Sequence, residues 1–313
     1  MTGKRRKRAP GATLIPIDRR LLRSWPIPAL PPNADKRARG DVLVVGGSRE
    51  VPGAVLLAGA ASLRAGAGRL QLGVVRSVAI ALAIACPEAR VIGLPQKRTG
   101  ELTPGAYRAL KSELENCRAL VVGPGMADEA AVAALLERTL GLREGPTIVL
   151  DAAALRALKR PRPRRAALGR VIATPHAGEM AELWGFEREE VEAKRLALAR
   201  EAAQTLGVTL VLKGSRSIVA TPDGRTFGSI NGNVGLATSG SGDVLSGIIA
   251  GLAARGAAPA QAAVWGVYLH AAAGDVLARR QGPLGYLARD LSPEVPALLA
   301  SFHALTQRKG RTP

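Results

Sequence analysis

Aromatic residues are scarce in this chain, which has three Trp, three Tyr and three Phe among 313 residues. A surface that stacks single-stranded bases needs aromatics interleaved with cations, so nucleic acid is not an expected partner. Cysteine is rarer still. Cys86 and Cys117 stand apart without CxxC spacing, which argues against a disulfide framework or redox pair and suits two buried thiols in a reducing cytoplasm. The only histidines are His176, His270 and His303, so a zinc site is not expected either. No run of about 18 uncharged apolar residues occurs, and no membrane span is predicted. The basic start MTGKRRKRAP lacks the apolar stretch that would make it a secretory signal.

Acids are also few, with 25 Asp and Glu against 44 Lys and Arg and a net charge of +19. Much of the excess sits at the ends. Residues 1–39 hold eleven cations against Asp18 and Asp35, and the terminal QRKGRTP adds three more. Such tails bind polyanions weakly or keep the chain soluble, while a mildly positive body suits a phosphate-rich small substrate.

What is present is an alternation of two kinds of segment. Short apolar runs at 41–45, 70–75, 89–94, 118–123, 147–151, 170–175 and 208–214 read as strands. Between them lie helical patterns at 53–66, 104–115, 126–140 and 187–206. Strands alternating with helices of this length predict an α/β fold, a mostly parallel sheet with helices on both faces. Past residue 214 the pattern changes to a hairpin over 217–230, turning at Pro222-Asp223-Gly224, and then to two Ala-rich closing helices near 242–255 and 258–279. Those Ala-rich helices are available for packing between subunits in a homo-oligomer. Four prolines between Leu21 and Asp41 mark a linker or wrapped arm, and PRPRR (161–165) reads as a charged surface loop. Three parts result: a basic, Pro-containing arm over 1–39, one α/β domain over 40–303 and a basic tail over 304–313.

In sheets of this kind ligands bind beyond the carboxyl ends of the strands. Those ends are rich in glycine and polar residues: GGSREVPG (46–53), GPGM (123–126), DAAAL (151–155), TPHAGE (174–179) and KGSRS (213–217). SGSGD (239–243) opens a late helix. No P-loop, no complete G-x-G-x-x-G and no G-x-S-x-G elbow is present. In SGSGD, Gly240, Ser241 and Gly242 form a bend whose amides, with the helix field behind them, make an anion hole for a phosphoryl group. Asp243 is either a plain helix cap or a base that takes a proton from an attacking hydroxyl.

The strings NGNVGLATSGSGDVLSGIIAGL (231–252), TPHAGEMAEL (174–183), VLKGSRSIVATPDG (211–224) and DVLVVGGSREVPGAVLLAGAASLRAGAG (41–68) occur in an order that resembles the ADP/ATP-dependent NAD(P)H-hydrate dehydratases. The resemblance covers about 40–300. It implies a ribokinase-like fold and the repair of hydrated NADH and NADPH. The ring hydroxyl is phosphorylated by ADP or ATP, with ADP the expected donor, and phosphate is then eliminated. Mg²⁺ is the implied cofactor. By the resemblance, Asp243 is the catalytic base. Lys213, Gly214, Ser215, Arg216, Ser217 and Gly242 bind the nucleotide, and Ala54, Gly125, His176 and Asp243 bind the hydrated cofactor. Glu179 either orients a magnesium-bound water or favours a helix start, and Asn231 and Asn233 lie near the nucleotide.

One departure stands out, in that relatives carry Asp-Ala-Asp where this chain has Asp151-Ala152-Ala153. The chain also leaves no room for the epimerase domain fused to many bacterial members, so cooperation with a separate NAD(P)HX epimerase is implied. Two other functions fit the residues: a ribokinase-like kinase of a vitamin alcohol, and a nucleotide- or RNA-binding module without catalysis.

Overall fold

The computed structural model describes residues 13–159 and 169–308, so PRPRR at 161–165 lies outside the described residues, as do the ends of both basic tails. Ten strands form one sheet: β1 (Leu14–Ile17), β2 (Asp41–Val45), β3 (Arg69–Val75), β4 (Ala89–Leu94), β5 (Ala119–Val122), β6 (Thr147–Leu150), β7 (Val171–Ala173), β8 (Thr209–Leu212), β9 (Ile218–Ala220) and β10 (Thr226–Ser229). Their order is β1-β10-β9-β8-β7-β6-β5-β2-β3-β4. Only the β8–β9 and β9–β10 pairs are antiparallel. These belong to the hairpin expected at 217–230, whose turn closes where Gly224 donates to the Thr221 carbonyl. The α/β reading with a mostly parallel sheet therefore holds.

The helices are α1 (Arg19–Ser24), α2 (Gly53–Arg64), α3 (Ala79–Ala85), α4 (Ala106–Asn116), α5 (Glu129–Leu140), α6 (Ala177–Trp184), α7 (Arg188–Ala193), α8 (Arg195–Leu206), α9 (Ser241–Ala254), α10 (Pro259–Gln281) and α11 (Ala288–Arg308). Every residue of β2, β5 and β8 is buried, as continuous apolar runs imply for strands covered on both faces. Residues on the two faces of β2 enter separate cores. Val42 and Val44 pack with α9 and α10, while Leu43 and Val45 pack with α4 and α5.

Three expectations are corrected and one alternative is selected. Of the linker or wrapped arm expected between Leu21 and Asp41, the structure has the arm packed on the domain, and just before it β1 adds a parallel edge strand beside β10. Leu22 and Ile17 are buried there, and the Trp25 carbonyl accepts the Trp265 indole N–H at 2.8 Å. The helical pattern at 187–206 is broken into α7 and α8 at Lys194. A third closing helix, α11, follows the two that the pattern suggested. Its Pro293 and Pro296 each cost about 3 kcal/mol in a helix interior, and burial of Leu291, Val295 and Leu299 offsets them. The Ala-rich helices are not free for packing between subunits, since α9 and most of α10 are buried in the core.

Glycine sets the position of α9 against α2. A Cβ at Gly247 would lie 2.1 Å from the Ala58 carbonyl oxygen, and one at Gly251 would lie 2.3 Å from that of Ser62. Only glycine allows the two helices to approach this closely.

Candidate active site

β2, β5, β6, β7 and β8 are consecutive in the sheet and parallel, so their carboxyl ends open on one edge. The loops at 46–53, 123–126, 151–155, 174–176 and 213–217 leave from that edge. The first turn of α9 meets them. A Cβ at Gly242 would stand 3.2 Å from Lys213 Nζ and 3.5 Å from Asp151 Oδ2, so the turn lies directly on these two side chains.

Asp151 and Lys213 form the charged centre. Lys213 Nζ donates to Asp151 Oδ1 at 2.7 Å and lies 3.7 Å from Glu179 Oε2. Thr174 Oγ1 donates to the same Asp151 oxygen at 2.9 Å, and Ser246 Oγ donates to the other at 3.0 Å. Burial alone would push the Asp151 carboxyl up. The Lys213 charge and the three hydrogen bonds outweigh it, and the group is held below the ordinary carboxylate range. Burial likewise disfavours the Lys213 ammonium, but the charges of Asp151, Glu179 and Asp243 raise it above its usual value. The carboxylate missing at Ala153 leaves neither partner unsatisfied. Ala152 takes a left-handed backbone, φ 49°, as the chain turns out of β6.

Asp243 behaves in the opposite way. Burial first, and the nearby Asp151 charge second, push its carboxyl up to about 7, with Lys213 opposing. A carboxyl poised there exchanges protons readily at neutral pH. Gly240, with φ 86°, supplies the left-handed bend before it. In the bend, Ser241 N donates to the Thr238 carbonyl at 3.2 Å and Val244 N to that of Gly240 at 3.1 Å. The amides of Gly242 and Asp243 have no hydrogen-bond partner among the described residues. Two free N–H groups at a helix start, beside an ammonium, are an arrangement that can receive an anion.

The loops at 46–53 and 123–126 clasp each other. Gly47 and Ser48 donate to the Pro124 and Gly125 carbonyls at 2.8 Å each. Gly125, at φ 65°, sits so close that a Cβ would be 2.3 Å from the Val51 oxygen and 3.3 Å from the Ala54 Cβ. Ala54 and Gly125 are thus brought together. The start of α9 reaches the same place, since a Cβ at Gly240 would meet Leu57 Cδ1 at 2.4 Å.

His176 caps α6. Its Nδ1 accepts the Glu179 amide at 3.1 Å, and Glu179 Oε2 accepts the His176 amide at 2.7 Å. This reciprocal pair is a capping box, worth about 1 kcal/mol. It leaves Nε2, which lies 3.6 Å from Glu179 Oε2, as the ring nitrogen that carries the hydrogen. Glu179 is occupied by the cap and by Lys213, and the Asp151 carboxylate by its three donors, Lys213, Thr174 and Ser246. Among the described residues no group of three His, Cys, Asp or Glu side chains is arranged to hold a metal.

The segment 213–217 divides. Lys213 points inward, whereas Gly214, Ser215 and Arg216 are exposed and Ser217 is half-buried. Arg195, from the start of α8, fixes this loop by donating through Nη2 to the carbonyls of Leu212 at 3.1 Å, Lys213 at 3.0 Å and Arg216 at 3.4 Å. Its guanidinium lies where a Cβ at Gly214 would be, 2.5 Å away. Asn233 turns its side chain to Asp275, Tyr286 and the Gly235 amide, while the Asn231 carbonyl accepts the Ser229 hydroxyl.

Thr174, Ser246, Arg195, His270, Asp275 and Tyr286 were not singled out from sequence. Ser246 follows Asp243 by three positions on a helix and Thr174 opens TPHAGE, so both carried a local signal. Arg195 and His270 had none, because each acts across the fold.

A family model described as NAD(P)H-hydrate dehydratase matches residues 42–297. The chain is 50% identical over 280 residues to the ADP-dependent (S)-NAD(P)H-hydrate dehydratase of Xanthomonas campestris pv. campestris, covering 89% of this chain and 93% of that one. Identity to the bifunctional NAD(P)H-hydrate repair enzyme of Moorella thermoacetica is 40% over 291 residues, 91% of this chain and 55% of that one. The chain thus spans about half of the bifunctional relative. Among solved structures, the ADP/ATP-dependent NAD(P)H-hydrate dehydratase of Bacillus subtilis, co-crystallised with ATP/Mg²⁺, superposes with a TM-score of 0.78 at 29% identity. The match covers 93% of this chain and 100% of that one.

Proposed function

The chain belongs to the NAD(P)H-hydrate dehydratase family, and from that premise we propose that it is a hydro-lyase restoring NADH and NADPH from their hydrates with ADP as phosphoryl donor. The observation that carries this reading is the first turn of α9. A carboxyl poised near neutrality there adjoins two unpaired amides and the Lys213 ammonium.

In this reading the hydrate's ring hydroxyl attacks the terminal phosphorus while Asp243 accepts its proton. The bond from phosphorus to the departing nucleotide oxygen breaks, leaving AMP. The Gly242 and Asp243 amides, the helix field and Lys213 meet the negative charge that develops on the phosphoryl oxygens. Asp151 keeps Lys213 charged and aimed. The ring nitrogen's lone pair then expels phosphate, a far better leaving group than hydroxide, and the neighbouring ring carbon loses a proton to complete the double bond. Ala54 and Gly125 allow the hydrated cofactor close to the backbone, and His176 Nε2 donates to it. Gly214, Ser215, Arg216 and Ser217 hold the AMP portion, with Asn231 and Asn233 bordering it. Among the described residues no cluster of carboxylates or imidazoles makes a magnesium site, so Mg²⁺ would arrive on the nucleotide phosphates. Two buried free thiols, Cys86 and Cys117, accord with a cytoplasmic setting.

Incubation with hydrated NADH, ADP and Mg²⁺ should restore absorbance at the reduced-nicotinamide band and release AMP and phosphate in equal amounts. ATP in place of ADP should give slower recovery. No recovery with either nucleotide would overturn the reading, and a stable phosphorylated product would indicate a small-molecule kinase instead.

A further inference from the structure

His270, on α10, faces the first residue of α9. Its Nε2 lies 2.9 Å from Ser241 Oγ and 3.0 Å from the Ser241 carbonyl oxygen. A carbonyl oxygen has no proton to give, so the second contact is favourable only if Nε2 carries the ring hydrogen. In that tautomer Nε2 has no lone pair for the serine, and the hydroxyl hydrogen of Ser241 is directed away from the imidazole. The neighbouring groups on its chain are the unpaired amides of Gly242 and Asp243. Burial pushes the His270 imidazole down to about 4, with the bond to the Ser241 carbonyl opposing and the Lys213 charge adding to the fall. The ring is therefore neutral at physiological pH, and adds no charge of its own to the anion site.

We propose that His270 is a positioning residue that locks the Ser241 hydroxyl so that it donates its hydrogen to the phosphoryl group undergoing transfer. Ser241 then supplies a third donor beside the two amides, and His270 acts through it without touching the nucleotide. This rests on the reading of SGSGD as the phosphoryl-binding turn.

The test is a double-mutant cycle with Ser241→Ala and His270→Phe, read by calorimetric titration of ADP and of AMP and by turnover of hydrated NADH. AMP lacks the phosphoryl group that Ser241 would hold. Each single variant should weaken ADP binding about tenfold, the size of one hydrogen bond to a charged group, and leave AMP affinity unchanged. The double variant should match Ser241→Ala alone, because His270 acts only through that hydroxyl. His270→Gln, which keeps an N–H at similar reach, should recover part of the ADP affinity. Equal losses for ADP and AMP, or effects that simply multiply, would overturn the proposal and leave His270 a packing residue. If the cycle behaves as expected but hydrated NADH is not turned over, the dehydratase reading fails and the positioning role stands. Should His270→Phe not fold, Ser241→Ala and His270→Gln still decide by the same ADP-to-AMP comparison.

Discussion

Lys213 Nζ lies 2.7 Å from Asp151 Oδ1, joining the ends of two strands that flank β7 and are 62 residues apart in the chain. The pair sits directly under the glycine turn of α9, and its two members have opposite effects on Asp243. The Asp151 charge raises that carboxyl, and the Lys213 charge lowers it. Charge distribution in the site is therefore set by tertiary contacts between strand ends.

Asp243→Asn removes the proposed base and should lower kcat by about 10²–10⁴. In the native enzyme the rate should rise with pH through about 7 as Asp243 loses its proton, and the variant should lack that limb. A raised carboxyl binds its proton more tightly in the folded state, so folding stability falls as pH rises from about 4 to 7 and is flat beyond. The asparagine variant should thus be more stable than the native protein at pH 8, on the order of 1–3 kcal/mol, and the gain should vanish near pH 4. Denaturant melts at both pH values check this.

Asp151→Asn removes the negative charge that raises Asp243 and frees Lys213 to lower it further. The pH–rate limb should move to lower pH. A limb that stays near 7 would contradict the assigned coupling.

Lys213→Met leaves the Asp151 carboxylate buried without its cation. The expected loss is roughly 3–5 kcal/mol of stability at neutral pH, seen as a lowered denaturation midpoint. Dropping the pH should narrow the deficit as Asp151 takes up a proton.

Arg195→Lys replaces a fork that reaches three carbonyls with a single ammonium. The loop at 213–217 should loosen, raising KM for ADP several-fold with kcat little changed. Steady-state kinetics with ADP varied would separate the two.

Gly125→Ala places a methyl group 2.3 Å from the Val51 oxygen at a left-handed φ of 65°. The two clasped loops must part. KM for the hydrated cofactor should rise while ADP binding is retained, which titration calorimetry would reveal.

Periodicity and turn chemistry carry far in this chain. Continuous apolar runs such as DVLVV and ALVV state that both faces of a strand are covered, and the spacing between them forces parallel crossovers. Once β2, β5, β6, β7 and β8 are parallel neighbours, their Gly-rich ends must share one edge, so GPGM, TPHAGE and KGSRS converge. Those features are local, and local sequence encodes them. Long-range competition lies outside its reach. α11 forms despite two prolines because apolar burial outweighs their cost. β1 joins the sheet because β10 offers an unpaired edge. The roles of Arg195, His270 and Ser246 depend on groups from 17 to 95 residues away. Burial and neighbouring charge, which exist only after the chain has closed, separate the low Asp151 from the raised Asp243, two carboxylates of the same type.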